Sequence, residues 1–310
     1  MTSIASVPTR APAPATVGRL FFLDLIGGRI LTANDDGSDV RVIVNGLTKH
    51  PDGIEIDVET GYMYWTNMGS FPPIGDGSIQ RANLDGSHIT TIVPEGATYV
   101  PKQLELDRKN GKIYWSDREG MRIMRANIDG SEIETLVETG RGDTDRRDQR
   151  RWCVGIALDH ERGQMYWTQK GGDDAGLGQI FRAPIAMPIG QRPDSRTDIE
   201  LLFDALPEPI DLALDLGRRL MYWTDRGAPP RGNTLNRAPM DADPPTNRTD
   251  VTILDTGLKE GIGLALDLKG DRVFFTDLGG SVYRARLDGS AMTTLLEHQG
   301  TNTGIAYVKA

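Results

Sequence analysis

The chain predicts an all-β fold, a six-bladed β-propeller with four antiparallel strands to a blade. Three observations predict it. A short motif recurs six times: Phe21-Phe22-Leu23-Asp24, Tyr64-Trp65-Thr66-Asn67, Tyr114-Trp115-Ser116-Asp117, Tyr166-Trp167-Thr168-Gln169, Tyr222-Trp223-Thr224-Asp225 and Phe274-Phe275-Thr276-Asp277. The first residues lie 43, 50, 52, 56 and 52 positions apart, the period of a copied supersecondary unit. No segment holds a helical period over ten or more residues.

Within a repeat the elements follow in a fixed order, clearest in the third. Gln103-Leu104-Glu105-Leu106-Asp107 reads as strand one and Lys112-Ile113-Tyr114-Trp115-Ser116-Asp117 as strand two. Arg122-Ile123-Met124-Arg125-Ala126-Asn127 reads as strand three and Glu134-Thr135-Leu136-Val137 as strand four. All are short, rich in β-branched or aromatic residues, and bounded by Gly, Asn and Asp. Asn110-Gly111 is a strong hairpin signal because both residues tolerate positive φ. Asp129-Gly130-Ser131 separates the last two strands and returns as Asp36-Gly37-Ser38, Asp85-Gly86-Ser87 and Asp288-Gly289-Ser290.

The ends of the repeat array predict closure. Leu20-Phe21-Phe22 matches a second strand, and Gly304-Ile305-Ala306-Tyr307-Val308 matches a first strand such as Gly155-Ile156-Ala157-Leu158-Asp159. The last strand is expected beside residues 19–24, which removes two exposed edges at once.

The motif, the Arg that follows it (Arg81, Arg125, Arg182, Arg237, Arg284) and the Leu-Asp-Gly-Ser turn resemble the LDL-receptor class B, or YWTD, propeller over roughly residues 18 to 308. Asn67 and Gln169 stand where that pattern has Asp, and Thr32 where the other blades have Arg. No cysteine-rich module of the receptor kind accompanies the repeats. The resemblance implies a face that receives protein or peptide ligands.

Length alone would suggest two domains, but the repeats point to one closed domain over residues 18–310 with residues 1–17 as a disordered leader. A net charge of −9 disfavours nucleic acid and acidic membrane surfaces as partners. Cys153 is the single cysteine, so no internal disulfide forms; with no signal-peptide or membrane-span pattern near Met1, a cytoplasmic location is expected. Asn247-Arg248-Thr249 is a glycosylation sequon that has meaning only on secretion.

The loop after each motif and the link before each strand one share one face, where loops on a rigid scaffold commonly bind. Long loops follow Asn67 (with Phe71), Gln169 and Asp225 (with Arg226). Across the six links one ring position holds His50, Val100, Trp152, Glu208, Glu260 and Thr301, the next Pro51, Pro101, Cys153, Pro209, Gly261 and Asn302, and the next Asp52, Lys102, Val154, Ile210, Ile262 and Thr303. The mixture suggests a pocket lined by His50, Asp52, Lys102, Arg151, Trp152, Cys153, Asn67, Phe71, Gln169, Asp211, Arg226 and Glu260. Drift of a structural repeat explains the same variety. Cys153 beside Arg151 is either a low-pKa nucleophile or an inert buried thiol.

A further break lies inside strand one. Ala157, Ala213, Ala265 and Ala306 occupy a position that holds Glu55 and Glu105 in blades two and three. Two glutamates near the axis share a proton, ligate a hard cation such as calcium or magnesium, or pair with an Arg such as Arg81 or Arg125. Hydrolase, metalloprotease and phosphate-loop signatures are absent. Two classes of function follow: a small-molecule site using His50, Lys102, Glu55 and Glu105 as acid–base or metal-binding groups, of hydrolase, lactonase, lyase or isomerase type; or a non-catalytic protein- or peptide-binding module on the same face. Lactonase and hydrolase chemistry in other six-bladed propellers is an analogy of fold only.

Overall fold

The computed structural model describes residues 17–242 and 248–309. They form six four-stranded antiparallel sheets. The inner strands are Asn302–Lys309, Pro51–Asp57, Pro101–Asp107, Cys153–Asp159, Pro209–Asp215 and Gly261–Asp267, for blades one to six. The expected closure is present: Asn302–Lys309 pairs with Gly18–Asp24, Phe22 opposite Ile305 and Leu20 opposite Tyr307. The leader expected over 1–17, save the exposed Val17, and Asn247 of the sequon lie outside the described residues. Among the described residues the α-helix is one short piece, Gly142–Arg146, in the link between blades three and four.

The recurring aromatics build the core. Trp65, Trp115, Trp167 and Trp223 and their preceding tyrosines are almost fully buried, as are Phe22, Phe274 and Phe275. Each motif Trp packs against its own blade and the preceding one, and the Tyr before it against the next, so blades stack through side-chain layers like sheets in a sandwich. The motif hydroxyl then ties neighbours together. Thr66 accepts from the Gly53 amide at 2.8 Å and donates to the Lys102 carbonyl of the next blade at 2.7 Å. Ser116, Thr168, Thr224 and Thr276 make the same inter-blade donation to Gly155, Ile210, Ile262 and Thr303. Blade one has Leu23 instead, and Thr303 serves that seam by donating to the Pro51 carbonyl at 3.1 Å.

The motif Asp is also structural. Asp117 accepts from the Tyr99 and Val100 amides, Asp225 from Glu208, Asp277 from Lys259 and Asp24 from Thr301. Each pins the incoming link to the end of strand two. In the Asp-Gly-Ser turns the Asp carboxylate accepts from the Ser amide, as Asp129 does from Ser131 at 2.9 Å. Gly130 has φ +86°, and a Cβ there would meet the Ile92 carbonyl of the preceding blade at 1.8 Å, so only glycine fits.

Candidate functional site

Six inner strands converge on the axis, and the two ends of the channel differ. Towards the motif ends, Val154, Ile210 and Ile262 pack on one another. At the same level Asp52, Lys102 and Thr303 complete the ring, and all six residues are buried. The Lys102 ammonium lies 2.5 Å from Asp52, and its Nζ also meets Met68 Sδ at 3.3 Å. This layer caps a cavity of about 400 Å³ that opens on the opposite face, where Val58, Glu59, Arg108 and Lys309 form the mouth.

Glu55, Glu105 and Asp211 line this cavity, against walls of Ile54, Leu104, Leu212, Leu264 and Ile305. Asp211 is held rigidly, its two oxygens accepting from the Leu212 and Leu264 amides at 2.9 Å each. Burial pushes its carboxyl up to about 7, with the neighbouring Asp52 and Glu55 charges adding to the effect. Glu55 is raised to about 7, again chiefly by burial, against the pull of Arg108. The Arg108 guanidinium lies 3.4 Å from Glu55 and also donates to the Ile56 carbonyl. Glu105 has no hydrogen-bond partner among the described residues; burial first, then the Glu55 charge, holds its carboxyl well above the usual range. Three carboxyls therefore line one cavity beside the Arg108 cation, and protonation is the route by which they coexist.

The arginine partner proposed for these glutamates is different in the structure. Arg81 stacks on the Tyr62 ring and Arg125 pairs with Glu134 at 2.5 Å, both on outer strands. A calcium or magnesium ion on Glu55 and Glu105 would have these two carboxylates and waters as its ligands. Among the described residues no three His, Cys, Asp or Glu side chains lie close enough to hold an ion. Oxygen-ligated calcium draws six or more ligands at 2.3–2.6 Å.

The other predicted residues do not share this cavity. His50 sits on the motif-end face at φ +53°, its Nδ1 2.8 Å from the Gly69 carbonyl. Asn67 is buried in its sheet, accepting from the Trp65 indole at 3.2 Å and donating to Gln80. Trp152 lies between the Arg118 and Lys170 cations, 5.1 and 5.8 Å from its ring centroid, and donates to the Arg146 carbonyl. Arg226 pairs with Glu260 at 2.6 Å, and Phe71 is exposed on its loop. Gln169 and Arg151 line an outer groove between blades three and four. Cys153 is fully buried, and burial pushes its thiol up to about 12, which excludes the low-pKa nucleophile.

The reason these ring residues vary is visible in the backbone. The carbonyls of His50, Val100, Trp152, Glu208, Glu260 and Thr301 accept from Met68, Arg118, Lys170, Arg226, Leu278 and Leu25 in turn, at 2.8–3.2 Å. The repeat uses only the main chain at this position, so the side chain is free to differ without forming a pocket.

Two cavity residues escaped the sequence reading. Gln103 reaches the Asp52 carboxylate at 3.2 Å, so Lys102 and Asp52 act on the cavity through it. It stands where Gly53, Gly155, Gly263 and Gly304 occur in other blades; a Cβ on Gly304 would meet the Asp52 carbonyl at 2.4 Å. Gln103 and Asp211 are the two exceptions to that glycine, a signal that was present in the alignment of repeats. Arg108 follows the strand-one Asp, where it reads as an ordinary turn residue.

No protein-family model matches the chain. A protein of Pyricularia oryzae named low-density lipoprotein receptor-related protein 1 is 48% identical over 289 residues, which cover 91% of this chain and 92% of the relative. A Cochliobolus heterostrophus protein named 3-hydroxyacyl-CoA dehydrogenase-like protein LAM1 is 39% identical over 316 residues, 96% of this chain but 66% of that protein. Among solved structures, a chain of a nidogen/laminin complex superimposes with a TM-score of 0.72 at 22% identity, over 94% of this chain and 98% of its own, a likeness of fold. Six ordered motifs, the closed six-bladed ring and the near-full-length relative agree: the chain belongs to the LDL-receptor class B, or YWTD, propeller family.

Proposed function

We propose that the chain is a small-molecule-binding propeller whose ligand enters the channel from the face opposite the motif ends. The observation that carries this reading is the coincidence of a dead-ended cavity of about 400 Å³ with the one level at which the inner strands break their alanine pattern. That volume lies in the range of small-ligand sites, and apolar walls with a few convergent polar groups are their usual make-up. Glu55 and Glu105 are the groups to which we assign proton exchange. Burial and their mutual repulsion raise both carboxyls towards neutral pH, so the pair can accept and return a proton, the requirement for lyase, isomerase or hydrolytic chemistry. Lys102 is a positioning residue, acting through Asp52 and Gln103.

The dehydrogenase name of the Cochliobolus protein is not carried over. Dinucleotide binding in the doubly wound fold uses a strand, a glycine-rich turn and a helix. Among the described residues the lone α-helix is five residues long and lies in a surface link.

Replacing Glu55 and Glu105 singly by Gln, in protein whose unfolding transition is retained, tests the assignment. Ligand retention or turnover should fall at least about tenfold, the loss of a charge-assisted contact. Unchanged binding in both variants would leave the glutamates as structural residues.

A second reading has its own support. Phe71 and Ile74 are exposed on the motif-end face, on a loop pinned by Asp76, which accepts from the Ser70 amide at 2.8 Å and pairs with Lys49 at 2.5 Å. A rigid apolar tip beside a charged rim suits a peptide. Phe71→Ser with Ile74→Ser should abolish selection of displayed peptides while leaving channel binding intact.

A further inference from the structure

Resting on the channel as the ligand site, we propose that its ligand is a small organic cation, a molecule with an ammonium or amidinium group held among Glu55, Glu105 and Asp211 and a hydrocarbon part against the aliphatic wall. The cavity offers acceptors in excess. Glu105 faces it with no protein donor among the described residues, and Glu55 has only the 3.4 Å approach of Arg108. Asp211 keeps lone pairs beyond the two amides it accepts. The carboxyls converge on one space, yet no three are close enough for a bare ion. An ammonium with three diverging donors, reaching acceptors at about 2.7–2.9 Å, or a planar amidinium suits a wider spacing than a metal ion that needs oxygens at about 2.3–2.6 Å. At the mouth Arg108 is already engaged by Glu55, the Ile56 carbonyl and Asp57, which leaves the interior acidic. An anion would leave these acceptors unpaired and add like charge, and a neutral polyol could donate hydroxyls to them but would leave their charge uncompensated.

Proton linkage follows. A bound cation favours the ionised carboxylates, so binding expels the protons that the empty site holds, and affinity rises with pH.

Matched sets of phenethylamine, phenethyl alcohol and phenylacetate, and of butylamine, butanol and butyrate, test this by titration calorimetry at pH 6 and pH 8. A carbon-13 carboxyl signal from Glu105 reports the site directly. The amine should bind at least about tenfold tighter than its alcohol and acid, more tightly at pH 8, and should move the Glu105 titration downward. Glu105→Gln should weaken the amine about tenfold, and Glu105→Ala, which restores the residue of four other blades, keeps the test valid if the amide disturbs folding. An alcohol or carboxylate that binds as well as the amine overturns the cation class and leaves the channel site standing. Amine binding indifferent to both Glu105 variants places the cation elsewhere and overturns the proposal. Absence of saturable binding by every member sinks the proposal and the channel reading together.

Discussion

The inner strands of blades two and three can be set against those of the other four blades. All six are built alike: an aliphatic residue at Ile54, Leu104, Ile156, Leu212, Leu264 and Ile305, and the same pairing to strand two. One residue later four strands hold alanine, which lets them crowd the axis, while two hold Glu55 and Glu105. Nothing in the scaffold requires the carboxyls, and burial makes them costly. Where all copies agree, a repeat reports folding; where two adjacent copies depart at a price in stability, it marks the place where another requirement was imposed.

The scaffold half of that comparison carries the largest expected effect. Deleting residues 303–310 opens an edge in blade one, and the protein should lose its cooperative melting transition and aggregate. A truncated protein with an unchanged melting temperature would refute the closure as a source of stability. Trp115→Ala, a fully buried large-to-small change, should cost about 3–5 kcal/mol in denaturant unfolding. A loss of ligand binding with stability intact would reverse the roles assigned to the two halves.

The divergent half is tested by making blade three resemble its neighbours. Glu105→Ala should stabilise the protein at pH 8 by about 1–3 kcal/mol, the cost of burying an unpaired polar group. The pH dependence fixes the sign. Both glutamates have folded pKa values above their usual 4.5, so the stability they contribute is fully present below that value and is lost as pH rises through about 7 for Glu55. Melting temperature should therefore fall between pH 5 and pH 8 in the parent and fall less in the Glu55→Gln, Glu105→Gln double variant. Equal slopes would mean that neither carboxyl is perturbed. The smallest change is Thr168→Val, which removes one inter-blade hydroxyl and should cost about 1–2 kcal/mol at every pH, through the lost bond to the Ile210 carbonyl. A pH-dependent loss there would blur the line between scaffold and site.

Most of the fold was legible because each blade repeats the same physical solution. The motif aromatics, the Asp-Gly-Ser turns and the split blade all stand in the sequence, and chain closure followed from matching residues 304–308 to a first strand. Glu55 and Glu105 were legible for the same reason, as departures from a repeat; Asp211 was named only as a pocket residue, although it too departs, from the glycine of that strand position. The ring of His50, Trp152 and Glu260 was read as a pocket from its side-chain variety, whereas the repeat itself engages only the main chain at that position. The direction of the opening was not legible either. It depends on whether Val154, Ile210 and Ile262 meet across the axis, and a pattern of single positions does not reveal contact across a ring. Arg108 was missed because its partner, Glu55, lies 53 residues away.

Thr303 stands at the seam where the first and second blades meet. Its strand completes the first blade, and its hydroxyl replaces the one that Leu23 lacks at the seam with blade two. One segment thus locks two joints. During synthesis it leaves the ribosome after the other inner strands, so blades two to six can stack while Gly18–Asp24 waits with an open edge. The ring is a clasped bracelet: every other link forms with a neighbour already made, and the clasp closes last. Agents that hold the waiting strand, a chaperone or a second nascent chain, act on this joint before any other.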